Sequence, residues 1–172
     1  MHSIAWWPIF IAVLIATISD IHSRRIPNWL VFPLLGTGIA ISGIVRGWSG
    51  LGHSVAGVFL AVLLLGLPYM FRGMGMGDLK LCAAIGAWVW PHQLVLVLVV
   101  MGLVGGVMAL VWAIFRGFLK EMLAGTSELV FGMKKRGLRP HPTLVLSNPK
   151  TRKMPYAPAI AIGAIVSFLA VA

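Results

Sequence analysis

The chain of 172 residues is 59% hydrophobic and 10% charged, with a mean hydropathy of +0.96 and a formal charge of +10 at pH 7. Soluble domains carry roughly 25% charged residues, so this composition excludes an ordinary water-soluble domain and marks a membrane protein. The acidic inventory is complete at Asp20, Asp78, Glu121 and Glu128, against 14 Lys and Arg. A basic excess interleaved with apolar spans reads as loops held at the cytoplasmic face, not as a nucleic-acid surface.

In chain order, apolar stretches run from Ile4 to Ser19, Trp29 to Val45, Leu51 to Phe71, Leu79 to Trp90, Leu94 to Phe115 and Tyr156 to Ala172. They predict an all-α bundle of about six transmembrane helices forming one integral membrane domain over 1–172. The first stretch has no Lys or Arg before its apolar part and no small-residue cleavage pattern before Asp20, which predicts a retained helix rather than a secretory leader. Several stretches are shorter than the ~20 residues that span a ~30 Å hydrocarbon core, so their ends are expected to carry polar groups below the headgroups. The single cysteine, Cys82, permits neither an internal disulfide nor a cysteine zinc site.

The positive-inside rule sets the orientation. With the N-terminus outside, thirteen of the 14 basic residues fall on inner loops and Arg46 alone falls outside. Both termini are then extracytoplasmic. Trp6, Trp7, Trp48, Trp88 and Trp90 lie toward outer helix ends and Trp29 and Trp112 toward inner ends, as interfacial belts require.

This topology places Asp20, at the end of the first stretch, and Asp78, at the start of the fourth, on the same cytoplasmic face. The stretch after Asp78 spans ~18 Å as a helix at ~1.5 Å per residue. Either it is re-entrant or its helix begins before Asp78 and sinks that carboxylate below the headgroups. Carboxylates at such depth face a bundle interior or an aqueous cavity. Each aspartate also has a plainer reading: Asp20 as a helix-end residue paired with Arg24 or Arg25, Asp78 as an N-cap. The run "GMGMGDLKL" places Gly73, Gly75 and Gly77 before Asp78, and glycines there are expected to free the backbone for positive φ and expose its polar groups to another chain.

Three segments carry a resemblance: "DIHSRRIPN" from Asp20, "GMGDLKL" from Gly75 and "KMPYAPAIAIG" from Lys153. In this order they resemble the signatures of the type IV prepilin peptidase family, membrane aspartyl proteases of the GxGD type. The resemblance implies Asp20 and Asp78 as the catalytic pair and Gly75 and Gly77 as the motif glycines. Pro27, Asn28 and Lys80 follow as motif residues that position substrate. It implies no cofactor, prepilin-type substrates, contact with membrane lipids and an inner or plasma membrane location. Long members of the family add a cytoplasmic segment with paired cysteines and an N-methyltransferase activity. This chain looks like the short form of tight-adherence, or Flp-type, pilus systems, which implies peptidase activity without methylation. Archaeal preflagellin peptidases share the core and motif.

The implied chemistry suits the residues. One ionised carboxylate takes a proton from water as it attacks the peptide carbonyl, and its protonated partner supports the oxyanion. Like charges a few ångströms apart titrate as a coupled pair. The substrate that the resemblance implies is a prepilin, a short basic leader followed by a hydrophobic helix. Thirteen inner cations would repel such a leader unless carboxylates offset them locally. His53, His92 and His141 read as scattered over different faces, with no metal cluster, and His22 as a loop-surface residue. The inner loop 117–154 begins with an amphipathic pattern and continues as a basic, proline-containing stretch, read as a solvated linker. Two other classes compete: a proton-coupled small membrane carrier, and a non-catalytic assembly subunit of a pilus or secretion system. Against the carrier, no outer-half carboxylate completes a path and no inverted repeat is visible.

Overall fold

A computed structural model describes residues 6–70, 74–115 and 155–171. The described residues form helices joined by short turns: α1 (Trp6–Ser23), α2 (Asn28–Met70), α3 (Met76–Trp88), α4 (Pro91–Phe115) and α5 (Ala157–Val171). By length and composition, the spans Trp6–Ser23, Asn28–Met70 and Pro91–Trp112 suffice to cross a membrane. The inner loop 117–154, with Glu121, Glu128 and His141, lies outside the described residues, as does Gly73.

The 43-residue α2 is two helical arms rather than one rod. Gly47 sits between them at φ 62° and ψ −148°, a conformation that glycine enters without the Cβ penalty. Two hydroxyls show that the chain turns back there. Ser42 Oγ donates to the Ala87 carbonyl at 3.3 Å and Ser54 Oγ to the same oxygen at 2.8 Å. Twelve residues of straight helix would hold these serines ~18 Å apart at ~1.5 Å per residue. The second and third apolar stretches are therefore the two arms of α2, and the hinge falls in the polar gap between them.

The short α3 is the core of the bundle, with every residue from Leu79 to Trp88 buried except Lys80. Small residues let the arms of α2 close on it. Gly57 and Gly86 meet backbone to backbone: a Cβ on Gly86 would lie 2.7 Å from the Gly57 carbonyl oxygen. Gly38 lies beneath the Trp88 indole, whose Nε1 donates to the Leu34 carbonyl at 2.7 Å. Such close small-residue crossings suit a solvent where dispersion and hydrogen bonds, not water exclusion, draw helices together. The outer face is the reverse of a soluble protein's. Trp48 is 89% exposed, Phe115 85% and Ile44 83%, large apolar groups that hydrocarbon solvates.

Three helix ends differ from the apolar runs. α1 continues four residues past Ser19, so Asp20 lies inside the helix and not at its tip. It stops where Arg24 takes φ 52° and its N–H donates to the Asp20 carbonyl at 2.9 Å, a left-handed terminus. α4 starts earlier than Leu94, at Pro91, where the missing N–H costs nothing. Gln93 Oε1 accepts the Trp90 N–H at 3.2 Å, closing half of a capping box. α3 starts before Asp78, at Met76, so the carboxylate is carried in the first helical turn.

The tryptophans divide into two groups. Trp7 and Trp48 face outward, as belt residues would. Trp6 is instead packed on Phe10 and Phe168, with ring centroids at 6.0 and 5.6 Å, and Trp88 is buried against α2. Position along a helix did not distinguish the two groups, because the side of the helix each occupies decides its role.

Candidate active site

The C-terminal turn of α1, the first turn of α3 and the start of α5 meet at one end of the bundle. Asp20 is 7% exposed, and among the described residues its carboxylate is held by backbone N–H groups rather than by a lysine or arginine. Its Oδ2 accepts the backbone N–H of Tyr156 at 2.7 Å and that of Ala157 at 3.0 Å. These are orphan donors of α5, which begins at Ala157 and has Pro158 next. Asp20 thus caps α5 from a different helix, and the positive end of the α5 dipole favours the carboxylate's charge. The sequence reading paired Asp20 with Arg24 or Arg25 as its plainer alternative; the structure gives it backbone N–H groups instead.

Asp78 occupies the third position of α3, after the N-cap Gly75, and takes a hydrogen bond from the Gly75 backbone. It is not itself the N-cap. Its carboxyl is partly buried and lies within the electric field of Asp20. The Tyr156 phenol is also close enough to feel the Asp78 charge. Two carboxyls, from α1 and α3, and the tyrosine just before α5 therefore share one region.

The motif glycines act differently from the expectation of positive φ. Gly75 has φ −74° and ψ 143°, open to any residue. A Cβ there would stand 3.0 Å from Asp78 Oδ2. At Gly77 a Cβ would stand 3.1 Å from the Ile26 Cβ. The glycines remove side chains at two crowded points: one clears the Asp78 carboxyl, the other lets α3 approach the α1–α2 turn.

The remaining motif residues brace that approach. Pro27 precedes α2, its carbonyl accepting the Leu30 N–H at 3.2 Å. Asn28 opens α2, and its Oδ1 accepts from Lys80 Nζ at 3.2 Å. The Lys80 ammonium also lies 5.3 Å from the Phe32 ring centroid, within cation–π range. Lys80 is thereby drawn to α2 and ties α3 to its first arm. His22 is exposed at the end of α1.

The other end of the bundle gathers a different cluster. His53 lies 4.1 Å and His92 6.4 Å from the Trp90 ring, and the Arg46 guanidinium sits 5.2 Å from that ring. His53 and His92, read from sequence as scattered, thus converge on one tryptophan through the Gly47 hinge and the α3–α4 turn. Among the described residues no three His, Cys, Asp or Glu side chains form a metal-holding group. Cys82 is buried, with its thiol 3.6 Å from Met101 Sδ.

Sequence reasoning quoted the segment containing Tyr156 but assigned it no role. The "PYAPA" run carries the signal: Pro158 marks a helix start, and the first N–H groups of any helix lack intrahelical partners.

Residues 7–110 match the type IV leader peptidase family. A protein named prepilin leader peptidase/N-methyltransferase from Bacillus subtilis is 31% identical over 166 residues, covering 94% of this chain and 54% of its own length. Its namesakes from Aeromonas hydrophila and Pectobacterium carotovorum are 37% and 32% identical, covering 57% and 70% of this chain but 36% and 43% of their own lengths. The chain thus spans about half or less of these curated relatives. No solved structure matches the chain. The match across residues 7–110, which contain both aspartates and the glycine motif, establishes that this chain belongs to the type IV leader peptidase family.

Proposed function

We propose that the chain is a membrane-embedded aspartyl endopeptidase that removes short basic leaders from prepilin-type substrates at the cytoplasmic face. The observation that carries this reading is the meeting of Asp20 and Asp78, from α1 and α3, at one end of an apolar helix bundle. One carboxylate accepts a proton from the attacking water while its protonated partner supports the oxyanion on the scissile carbonyl. Gly75 keeps the space beside the Asp78 carboxyl free of a side chain, Gly77 lets α3 close on the α1–α2 turn, and Pro27, Asn28 and Lys80 brace the wall beside it.

In this reading the two arms of α2 each cross the membrane, giving six crossings in one domain with both termini extracytoplasmic. The hinge at Gly47 supports it, and so does Arg46, the lone outer cation, which lies at the end opposite the aspartates. The membrane is the cell's inner or plasma membrane, and the inner loop 117–154 is a basic cytoplasmic linker. Peptidase activity without methyl transfer is the proposed repertoire, following the resemblance to the short form of the family.

Purified chain in detergent, mixed with a prepilin, should shift the substrate's mass by that of its leader. Added S-adenosylmethionine should contribute no further 14-dalton step, about one methyl group replacing hydrogen. An intact prepilin would defeat the peptidase reading, and a methylated product would defeat only its restriction to cleavage.

A further inference from the structure

Two points where α5 crosses α4 leave no room for a side chain. A Cβ on Gly163 would lie 2.6 Å from the Val97 carbonyl oxygen and 3.3 Å from the Met101 nitrogen. Nearer the aspartates, a Cβ on Gly105 would overlap the hydroxyl and ring carbons of Tyr156. The ring therefore fills a notch that α4 opens only because residue 105 is glycine. Ser167 Oγ adds a third tie, donating to the Gln93 carbonyl at 3.2 Å. These contacts fix how far α5 slides along α4, and so where the first residues of α5 stand.

That position bears directly on Asp20, because its Oδ2 is held by the N–H groups of Tyr156 and Ala157. The residue whose ring fills the notch is the residue whose backbone holds the carboxylate. We propose that Tyr156 is a positioning residue: its ring, keyed into the notch at Gly105, sets the start of α5 so that two backbone N–H groups hold the Asp20 carboxylate toward Asp78. The tyrosine acts through Asp20, by steric fit, and the hydroxyl takes no proton in the reaction. A misplacement of ~1 Å at a reacting group costs as much as ~100-fold in rate, so a small shift of α5 suffices to be felt.

The inference rests on the peptidase reading, and prepilin cleavage by the full chain in detergent tests it, with kcat and KM measured separately per mole of inserted protein. Gly105→Ala pushes a methyl into the ring, and Tyr156→Leu leaves the notch part-filled. Each should lower kcat at least ~10-fold with KM within ~3-fold, the signature of a group whose effect is felt in the transition state. Tyr156→Phe keeps the ring and should restore most of what Tyr156→Leu loses. The pair Gly105→Ala with Tyr156→Leu should exceed Gly105→Ala alone, since leucine lacks the ring atoms that the methyl displaces, and contacting residues couple in such cycles. A Tyr156→Phe as slow as Tyr156→Leu would overturn the proposal, because the hydroxyl would then act itself. So would a Tyr156→Leu with unchanged kcat, a comparison that needs no overpacked variant to fold. A wild-type chain that leaves prepilin uncut sinks the peptidase reading first, a result distinct from either of these.

Discussion

Asp20 has two roles under the proposed function: it caps α5 and it pairs with Asp78. Substituting it separates these roles. Asp20→Asn keeps the size and one carbonyl oxygen, so the amide can still accept the N–H groups of Tyr156 and Ala157, which now stand 2.7 and 3.0 Å from Oδ2. Hydrogen bonds to a charged group contribute ~1.5–3 kcal/mol each and neutral ones ~0.5–1.5, so two bonds that lose the charge cost about 2–3 kcal/mol. Asp20→Ala leaves both donors buried and unpaired, at ~1–3 kcal/mol each, or about 2–6 kcal/mol in all. The order of stability in detergent should therefore be wild type, then Asn, then Ala.

Activity should follow a different order. A general acid or base contributes ~10²–10⁴-fold, and both Asp20→Asn and Asp20→Ala remove it, so both should fall to the same low rate of prepilin cleavage. Asp78→Asn should match them. Groups acting as one unit are strongly non-additive, so Asp20→Asn with Asp78→Asn should be scarcely slower than either alone. Arg25→Ala and His22→Ala, exposed on the same turn, are controls that should cost much less. The measurements are the thermal midpoint of purified protein and the initial rate on one prepilin. An Asp20→Asn variant with near-normal turnover, beside an inactive Asp78→Asn, would reduce Asp20 to a helix cap and refute the paired-carboxylate mechanism.

A reporter fused after Ala172 should register as extracytoplasmic and one inserted between Gly137 and Pro149 as cytoplasmic; the reverse pattern would move both aspartates to the wrong face. Cys82→Ser and chelator treatment should each leave most cleavage intact, and loss on chelation alone, read in the same mass-shift assay, would indicate metal chemistry. Gly57→Val places a branched side chain where the Gly86 backbone passes, and as overpacking of a core with backbone on the far side it should cost ~3 kcal/mol or more, measured as loss of the detergent-stable folded fraction. Lys80→Met keeps the apolar stem over Phe32 but drops the bond to Asn28, and should slow cleavage less than ~10-fold if Lys80 braces the site from outside it; a rate as low as that of Asp78→Asn would place the ammonium in the chemistry.

The parts of the fold that were legible in the sequence are those that depend on composition along the chain. Each apolar run corresponds to a helix or to an arm of one, because hydrocarbon rewards the same residue types on every exposed face. Helix ends were less legible. α1 runs on through Asp20, His22 and Ser23 since polarity does not stop a helix; backbone geometry at Arg24 does, and a positive φ at an arginine has no sequence marker. The division of the tryptophans into outward and buried likewise depends on which helix face meets a neighbour, and the moment of a helix that is apolar all round gives no direction. The convergence of His53 and His92 on Trp90 needs the hinge at Gly47, which brings separate turns together.

The glycine motif shows where local reasoning about the site stops. Read along the chain, alternating glycines before an aspartate suggest a flexible loop. In space, Gly75 has an ordinary extended conformation and Gly77 is already in the first turn of α3, so flexibility is not what these positions require. They require empty volume: Gly75 beside the Asp78 carboxyl, Gly77 beside Ile26 of the α1–α2 turn. The same demand recurs at Gly57 against Gly86 and at Gly105 under Tyr156, far apart in sequence. A glycine chosen for its dihedral angles is visible to a local reading, since the constraint lies in its own backbone. A glycine chosen for the absence of a Cβ is fixed by the residue that approaches it, and that residue arrives only with the tertiary fold. Alanine at Gly75 therefore tests the distinction, because its backbone tolerates alanine and only the carboxyl beside it objects: expression and thermal midpoint should stay close to wild type while cleavage falls at least ~10-fold, as expected when a reacting group is displaced by part of an ångström. Full activity in Gly75→Ala would mean that the Asp78 carboxyl has room to move aside, and the steric account of the motif would fail at its first glycine.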